Sequence, residues 1–179
     1  SVSRRFPDVL LLEVQAREPL LALIATTPDG AAVPFTVDRE GRVYRAGLPQ
    51  MKGDLVVLSG LQATAADLGG LLGDGLLPLV ADLDLLHQEQ VELSMLISQV
   101  QIIPRDGSPM PSVTTAGGVD ALVYTIGYST PLYFSDHLDA DALTEGLLVL
   151  DTLTRTGQLQ SVSHIDMRAG PPVLVRAAE

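Results

Sequence analysis

The segment that most restricts this chain lies near its carboxyl end: Ile165-Asp166-Met167-Arg168-Ala169-Gly170-Pro171-Pro172-Val173-Leu174-Val175-Arg176. Proline lacks a backbone N–H and has a fixed φ, so two in a row cannot sit inside a hydrogen-bonded ladder. Gly-Pro-Pro therefore predicts a corner between two β segments. The second segment, Val173 to Arg176, is short, apolar and terminal. A strand so placed tends to lie at a sheet margin, where a row of N–H and C=O groups is open to a foreign strand. The same residues fit a strand that merely closes the chain's own sheet, and residue chemistry leaves both readings standing.

A chain of 179 residues suits one domain, or one domain with a fragment of another. The core must be aliphatic, because the chain has no Trp, 3 Phe and 4 Tyr. Without cysteine, disulfides, thiolate zinc sites and cysteine nucleophiles are excluded. The net charge of −11 opposes non-specific binding to nucleic acid or anionic lipid. Apolar runs such as Leu20 to Ala25 fall far short of the ~20 residues of a spanning helix. The opening Ser-Val-Ser-Arg-Arg reads as the interior of a longer protein, with room for a membrane anchor upstream.

Along the chain, a turn at Pro7-Asp8 leads into a strand from Val9 to Val14. Pro19 demotes any strand across it, and Leu20 to Thr26 reads as the next strand. Val33, Phe35 and Val37 alternate up to Asp38-Arg39-Glu40-Gly41, and Arg42-Val43-Tyr44 follows; this is a β-hairpin. Leu55 to Leu58 reads as a short strand stopped by Ser59-Gly60. Residues 61–77 space Leu and Ala as a helix does, but four glycines weaken it, so a frayed helix or ordered loop is expected. Pro78 suits a helix start, with Leu79, Leu83, Leu86, Leu93 and Leu96 on one stripe. Ile97 to Ile103 fits either a helix end or a strand, and residues 105–118 fit a loop or hairpin tip. Leu122 to Ile126 and Pro131 to Phe134 form a strand pair around Gly127. A helix capped by Asp139 or Asp141 follows, buries Leu143, Leu147, Leu150 and Leu153, and stops at Gly157.

Chemistry-bearing clusters are few. Ser163-His164-Ile165-Asp166 holds hydrolase residue types, but neighbours on a strand face opposite ways, so Ser163 and His164 should not hydrogen-bond. Asp136-His137-Leu138-Asp139-Ala140-Asp141 has ligand types for a metal or small ligand; a helix N-terminus, where carboxylates meet the positive end of the dipole, accounts for it better. His87 and Glu89 face apart on a helix, and the glycines at 69, 70, 73 and 75 lack the lysine of a phosphate loop. Arg4 and Arg5 read as a solvated pair. No catalytic residue, cofactor site or metal site is assigned.

Several stretches taken in order resemble the extracytoplasmic region of the FtsQ/DivIB family of bacterial cell-division proteins. Arg4-Arg5-Phe6-Pro7-Asp8-Val9-Leu10 with Val14, Arg17 and Pro19 resembles its R-x-x-P-x-x-L…V-x-x-R-x-P stretch. Val37-Asp38-Arg39-Glu40-Gly41-Arg42-Val43-Tyr44 resembles its V-D-x-x-G-x-V-F hairpin, Leu55 to Gly60 its L-P-x-L-x-G, and Ile165-Asp166-Met167-Arg168 its I-D-L-R. Ala16, Val56 and Ala169 depart from the pattern, the last standing where an aromatic is usual. The resemblance implies an α+β fold: a bent, largely antiparallel sheet with two or three helices packed on it. Residues 1–18 would be the last strand of a POTRA domain and 19–179 the β domain. It implies a non-enzymatic scaffold on the outer face of the inner membrane, anchored by an upstream helix. FtsB/FtsL-type partners would be bound by strand addition through Arg168, Val173, Leu174, Val175 and Arg176. A POTRA-associated envelope assembly module with other partners is the competing interaction role.

Overall fold

Short apolar runs cut by glycine and proline fold here into many short strands. The computed structural model of the chain describes residues 2–5, 9–12, 16–47, 55–107, 109–114 and 116–177. Strands β1 (Val2–Arg5) and β2 (Val9–Leu12) pair antiparallel as a separate two-stranded sheet. The expected strand at Val9 thus has a partner that the sequence did not announce, while Pro7 and Asp8 lie outside the described residues. The remaining strands are β3 (Pro19–Thr26), β4 (Ala32–Asp38), β5 (Val43–Ala46), β6 (Val56–Gln62), β7 (Ile97–Pro104), β8 (Val119–Thr125), β9 (Leu132–Phe134), β10 (Val162–Asp166) and β11 (Val173–Arg176). They form one sheet in the order β11-β10-β9-β8-β7-β6-β3-β4-β5.

The class is α+β, with a nine-stranded sheet and helices α1 (Leu77–Glu89), α2 (Val91–Ser94) and α3 (Ala140–Arg155). The sheet is mixed rather than largely antiparallel: β3 and β6, β6 and β7, and β9 and β10 run parallel. Two of these parallel pairs are joined through helices, α1–α2 between β6 and β7 and α3 between β9 and β10, as a parallel connection needs a crossover. Antiparallel hairpins supply the other pairs.

Burial follows strand alternation through β7, β9 and β10, while β3, β4 and the start of β8 carry consecutive buried residues. Val100, Ile102, Ala121, Val123, Leu132, Phe134 and Ile165 join the core with Leu79, Leu83, Leu86, Leu143, Leu150 and Leu153 of the helices. Gly146 lets α3 lie close on β9, since a Cβ there would meet Leu132 Cδ1 at 2.7 Å. The alternate positions carry polar groups: Gln99 donates to Ser59, and Tyr124 donates to Gln101. One layer of helices over a sheet with a polar reverse face is the result.

The predicted hairpin is present as β4–β5, and its turn chemistry is visible. Asp38 Oδ1 accepts the N–H groups of Glu40 and Arg42 at 3.0 and 2.9 Å, and Gly41 takes φ +76°. Asp38 also pairs with Arg17. Two readings change. Ser59-Gly60 does not stop β6. Leu23 opposes Leu58 while Ala25 opposes Leu61, so these residues form a β-bulge and the strand runs on to Gln62. The helical stripe from Leu79 ends at Leu86: the chain breaks at Gln90 (φ −136°), and Leu96 is exposed. Residues 61–76 are strand end, a 3₁₀ turn at Ala65–Asp67 and loop, the second of the two expected alternatives, and α1 starts at Leu77. The ambiguous run from Ile97 is strand. Residues 105–118 are a hairpin connection whose Val113 and Ala116 are buried.

Candidate partner-binding edge

The corner predicted from Gly-Pro-Pro is present. β10 and β11 pair antiparallel, with Asp166 opposite Val173 and Ile165 opposite Leu174. β11 closes the strand order, so among the described residues it has a neighbour on one side only. Its apolar side chains are unusually open: Val173 is 56% and Leu174 46% exposed.

Alternation decides which backbone groups of β11 are free. The Val175 carbonyl accepts from Ser163 Oγ at 3.1 Å, and Ala177 N–H donates to Ser161 O at 3.1 Å. Odd-numbered residues therefore aim at β10. The N–H and C=O of Leu174 and Arg176 point away from it, as successive residues of a strand alternate. Those two residues are the template for an added strand. Val175 belongs to the chain's own ladder.

Ser163 corrects an expectation. Its Oγ lies 3.0 Å from His164 Nδ1, so the two side chains do meet. The β10–β11 register shifts between Val162 and His164, and this bulge undoes the strict alternation assumed for adjacent residues. The hydroxyl also donates to the Val175 carbonyl, which makes it a pin for the edge strand. The His164 ring stands edge-on to Tyr133, with centroids 5.3 Å apart.

Arg168 is the anchor of the corner. Its Nε and Nη2 donate to Asp166 at 3.0 and 2.7 Å, and Nη1 donates to Asp120 at 2.8 Å. The guanidinium also stacks over Tyr133, 4.1 Å from the ring centre. Asp120 is the hub. Its side chain is 6% exposed, and it accepts from Arg168, from Arg105 Nε at 2.6 Å and from the Tyr133 hydroxyl at 3.1 Å. Arg105 continues to Asp136 at 2.8 Å. Five charged side chains thus tie the 105 loop, β8, β9 and the corner together on the polar face of the sheet. Asp120 and Arg105 were missed in the sequence, where they stand 15 residues apart with no shared pattern; pairing of β7 with β8 brings them together.

The titrations follow from this geometry. The Arg168 guanidinium holds the Asp166 carboxyl below the usual carboxylate range, and Arg105 does the same for Asp136. Burial raises the Tyr133 phenol, helped by its hydrogen bond to Asp120. Arg168 is itself raised, first through Asp166.

The acidic-histidine stretch is put to structural use. Asp139 caps α3, accepting from Asp141 N and Ala142 N at 2.7 and 3.3 Å. His137 Nδ1 lies 3.1 Å from Asp82, which also accepts the Leu138 N–H at 2.9 Å. Among the described residues no three His, Cys, Asp or Glu side chains gather as a metal cage. His87 and Glu89 are both exposed at the end of α1. The side chains of Arg4 and Arg5 lie outside the description. No family model, curated protein or solved structure matches this chain.

Proposed function

We propose that this chain is a non-enzymatic interaction domain that binds its partner by strand addition at β11, in the manner of an FtsQ/DivIB-type division scaffold. One observation carries the reading: the outward ladder groups of Leu174 and Arg176 have no strand beside them among the described residues, and apolar side chains flank them. The order of the quoted sequence motifs supports the division role. On this reading residues 19–179 form the β domain, and residues 1–18 belong to the end of a POTRA domain. The chain works on the extracytoplasmic face of the bacterial inner membrane and receives a strand from an FtsB/FtsL-type partner. Arg168 serves the edge by holding the corner in register, and Val173 and Leu174 supply apolar contacts on either side of the added strand.

The test is Leu174→Pro, which removes an outward N–H and leaves the ladder to β10 intact. Titration with a peptide covering the strand of an FtsB-type partner should show at least about tenfold weaker binding than wild type, a loss of roughly 1.4 kcal/mol or more. The melting temperature should move by no more than about 2 °C. Unchanged affinity would sink the edge assignment. Binding of the partner peptide to β5 in place of β11 would sink it too.

A further inference from the structure

A second surface lies away from β11, and no Lys or Arg lines it among the described residues. All 11 Lys and Arg fall outside residues 53–104 and 106–154, which hold 14 of the 22 acidic residues. The C-terminal half of α1 comes from the first of these stretches, and the start of α3 from the second. Between them lies a cleft of about 440 Å³. Leu85, Leu86, Leu138 and Ala140 form its apolar lining, and Asp82, Glu89 and Asp139 stand around it. Leu85 is 53% exposed, and Val91, just past the break at Gln90, is 49% exposed.

Such a surface is unfavourable for the chain alone. Leu85 stands in water beside the buried Leu86 and Leu138, and three carboxylates and His137 share a rim to which no Lys or Arg contributes among the described residues. Asp82 is engaged by His137 and the Leu138 N–H, and Asp139 by the cap of α3; their charges remain at the rim. The field repels nucleic acid and anionic lipid. A second copy of this chain would bring the same negative rim to the contact. What the cleft complements is an apolar anchor flanked by positive charge. Helices that lay an apolar stripe into a groove present that combination at i, i+3, i+4 spacing.

We infer that the cleft between α1 and α3 docks a basic amphipathic helix of a partner protein, with an aliphatic or aromatic side chain over Leu85 and Leu138 and Lys or Arg facing Asp82, Glu89 and Asp139. None of its lining residues belongs to β10 or β11, so the chain has two separable contact surfaces. A partner strand at the edge and a partner helix in the cleft can be held at once.

The test is a titration of the ¹⁵N-labelled chain with an 18-residue amphipathic helix of leucine and lysine. A peptide of the same pattern with serine for lysine serves as control. Amide shifts should concentrate on residues 82–90 and 137–140. Raising salt from 50 to 500 mM should weaken binding several-fold, because exposed charges are then screened. The double variant Leu85→Lys, Glu89→Lys alters two exposed positions, should melt like wild type, and should bind at least about tenfold more weakly. Leu174→Pro should leave this binding untouched, so failure here and failure at the edge read differently. Shifts centred elsewhere, equal binding of the serine peptide, or full affinity in the double variant would overturn the proposal. So would a dimer in sedimentation that the double variant disperses, since a second copy would then be the occupant.

Discussion

The two margins of the sheet are treated differently. At one, the start of β5 is covered while Arg45 and Ala46 stay exposed: Val43 donates to Gly70 O at 3.0 Å and accepts from Gly69 N–H at 2.7 Å, and just before the strand Leu72 N–H reaches Gly41 O at 2.8 Å. The Arg42 guanidinium adds a bond to Gly69 O. Val43 is wholly buried. At the other, β11 has its β10 ladder and exposed Val173 and Leu174. An open strand is a liability that folded chains manage by covering or shortening it. Both edge strands are short, four residues each; a glycine-rich loop covers the start of β5, and β11 is left with exposed apolar side chains. A margin that is anchored by an ion-pair network and has no strand beside it among the described residues fits the docking role proposed above.

The largest expected effect falls on the covered edge. The loop that seals β5 continues into Gly73 and Gly75, which press on the 116–117 backbone; a Cβ at Gly75 would sit 1.6 Å from Gly117 O. Gly75→Ala should destabilise the fold by about 3 kcal/mol through overpacking, lowering the melting temperature by roughly 6–12 °C. A near-wild-type melting curve would show that the loop is not a fixed cover.

Next comes the anchor of the open edge. Asp120→Ala removes the acceptor shared by Arg105, Arg168 and Tyr133 and should cost about 2 kcal/mol, below the value for a fully buried pair because both arginines are partly exposed. Urea unfolding measures it, and partner binding at β11 should fall with it if the corner sets the edge in place.

A smaller effect depends on pH. Asp166 titrates below its ordinary value because Arg168 binds the charged form. A depressed folded pKa gives stability that is complete above the unfolded carboxylate value, near 3.9, and is lost as pH falls through the folded one. Arg168→Gln should therefore melt lower than wild type at pH 7. The gap should close as pH falls from about 4 towards 2, as followed by calorimetry. A gap that is constant over that range would mean that the guanidinium acts by packing on Tyr133 alone.

The smallest contrast is within β11. Val175→Pro deletes a donor aimed at β10 and should cost about 1 kcal/mol, the net value of a hydrogen bond. Leu174→Pro, whose donor points outward, should cost less. Reversal of that order in thermal melts would mean that the outward and inward faces of the strand have been exchanged.

How much of this was legible in the sequence depends on where the deciding contacts lie. The β4–β5 hairpin could be read because Asp38, Gly41 and the alternating valines make their bonds within a few residues. The α3 cap and stop at Asp139 and Gly157 are equally local. The glycines at 69, 70, 73 and 75 looked like weaknesses in a helix; they are instead places where distant backbone comes close. Ser59-Gly60 looked like a stop because glycine often ends a strand, and only neighbours on both sides make it a bulge. Ser163 and His164 were kept apart by a rule of alternation that holds for regular strands, not for a bulged one.

The sequence alone determined the aliphatic core, the short strands, both long helices in outline and the Gly-Pro-Pro corner, because propensity, turn geometry and periodicity act over a few residues. Tertiary structure decided the mixed strand order, which edge is sealed, and which β11 amides point outward. It also decided that Arg168 belongs to a network around Asp120. Those outcomes rest on groups up to 48 residues apart, brought together by sheet pairing, and no local pattern encodes such a meeting.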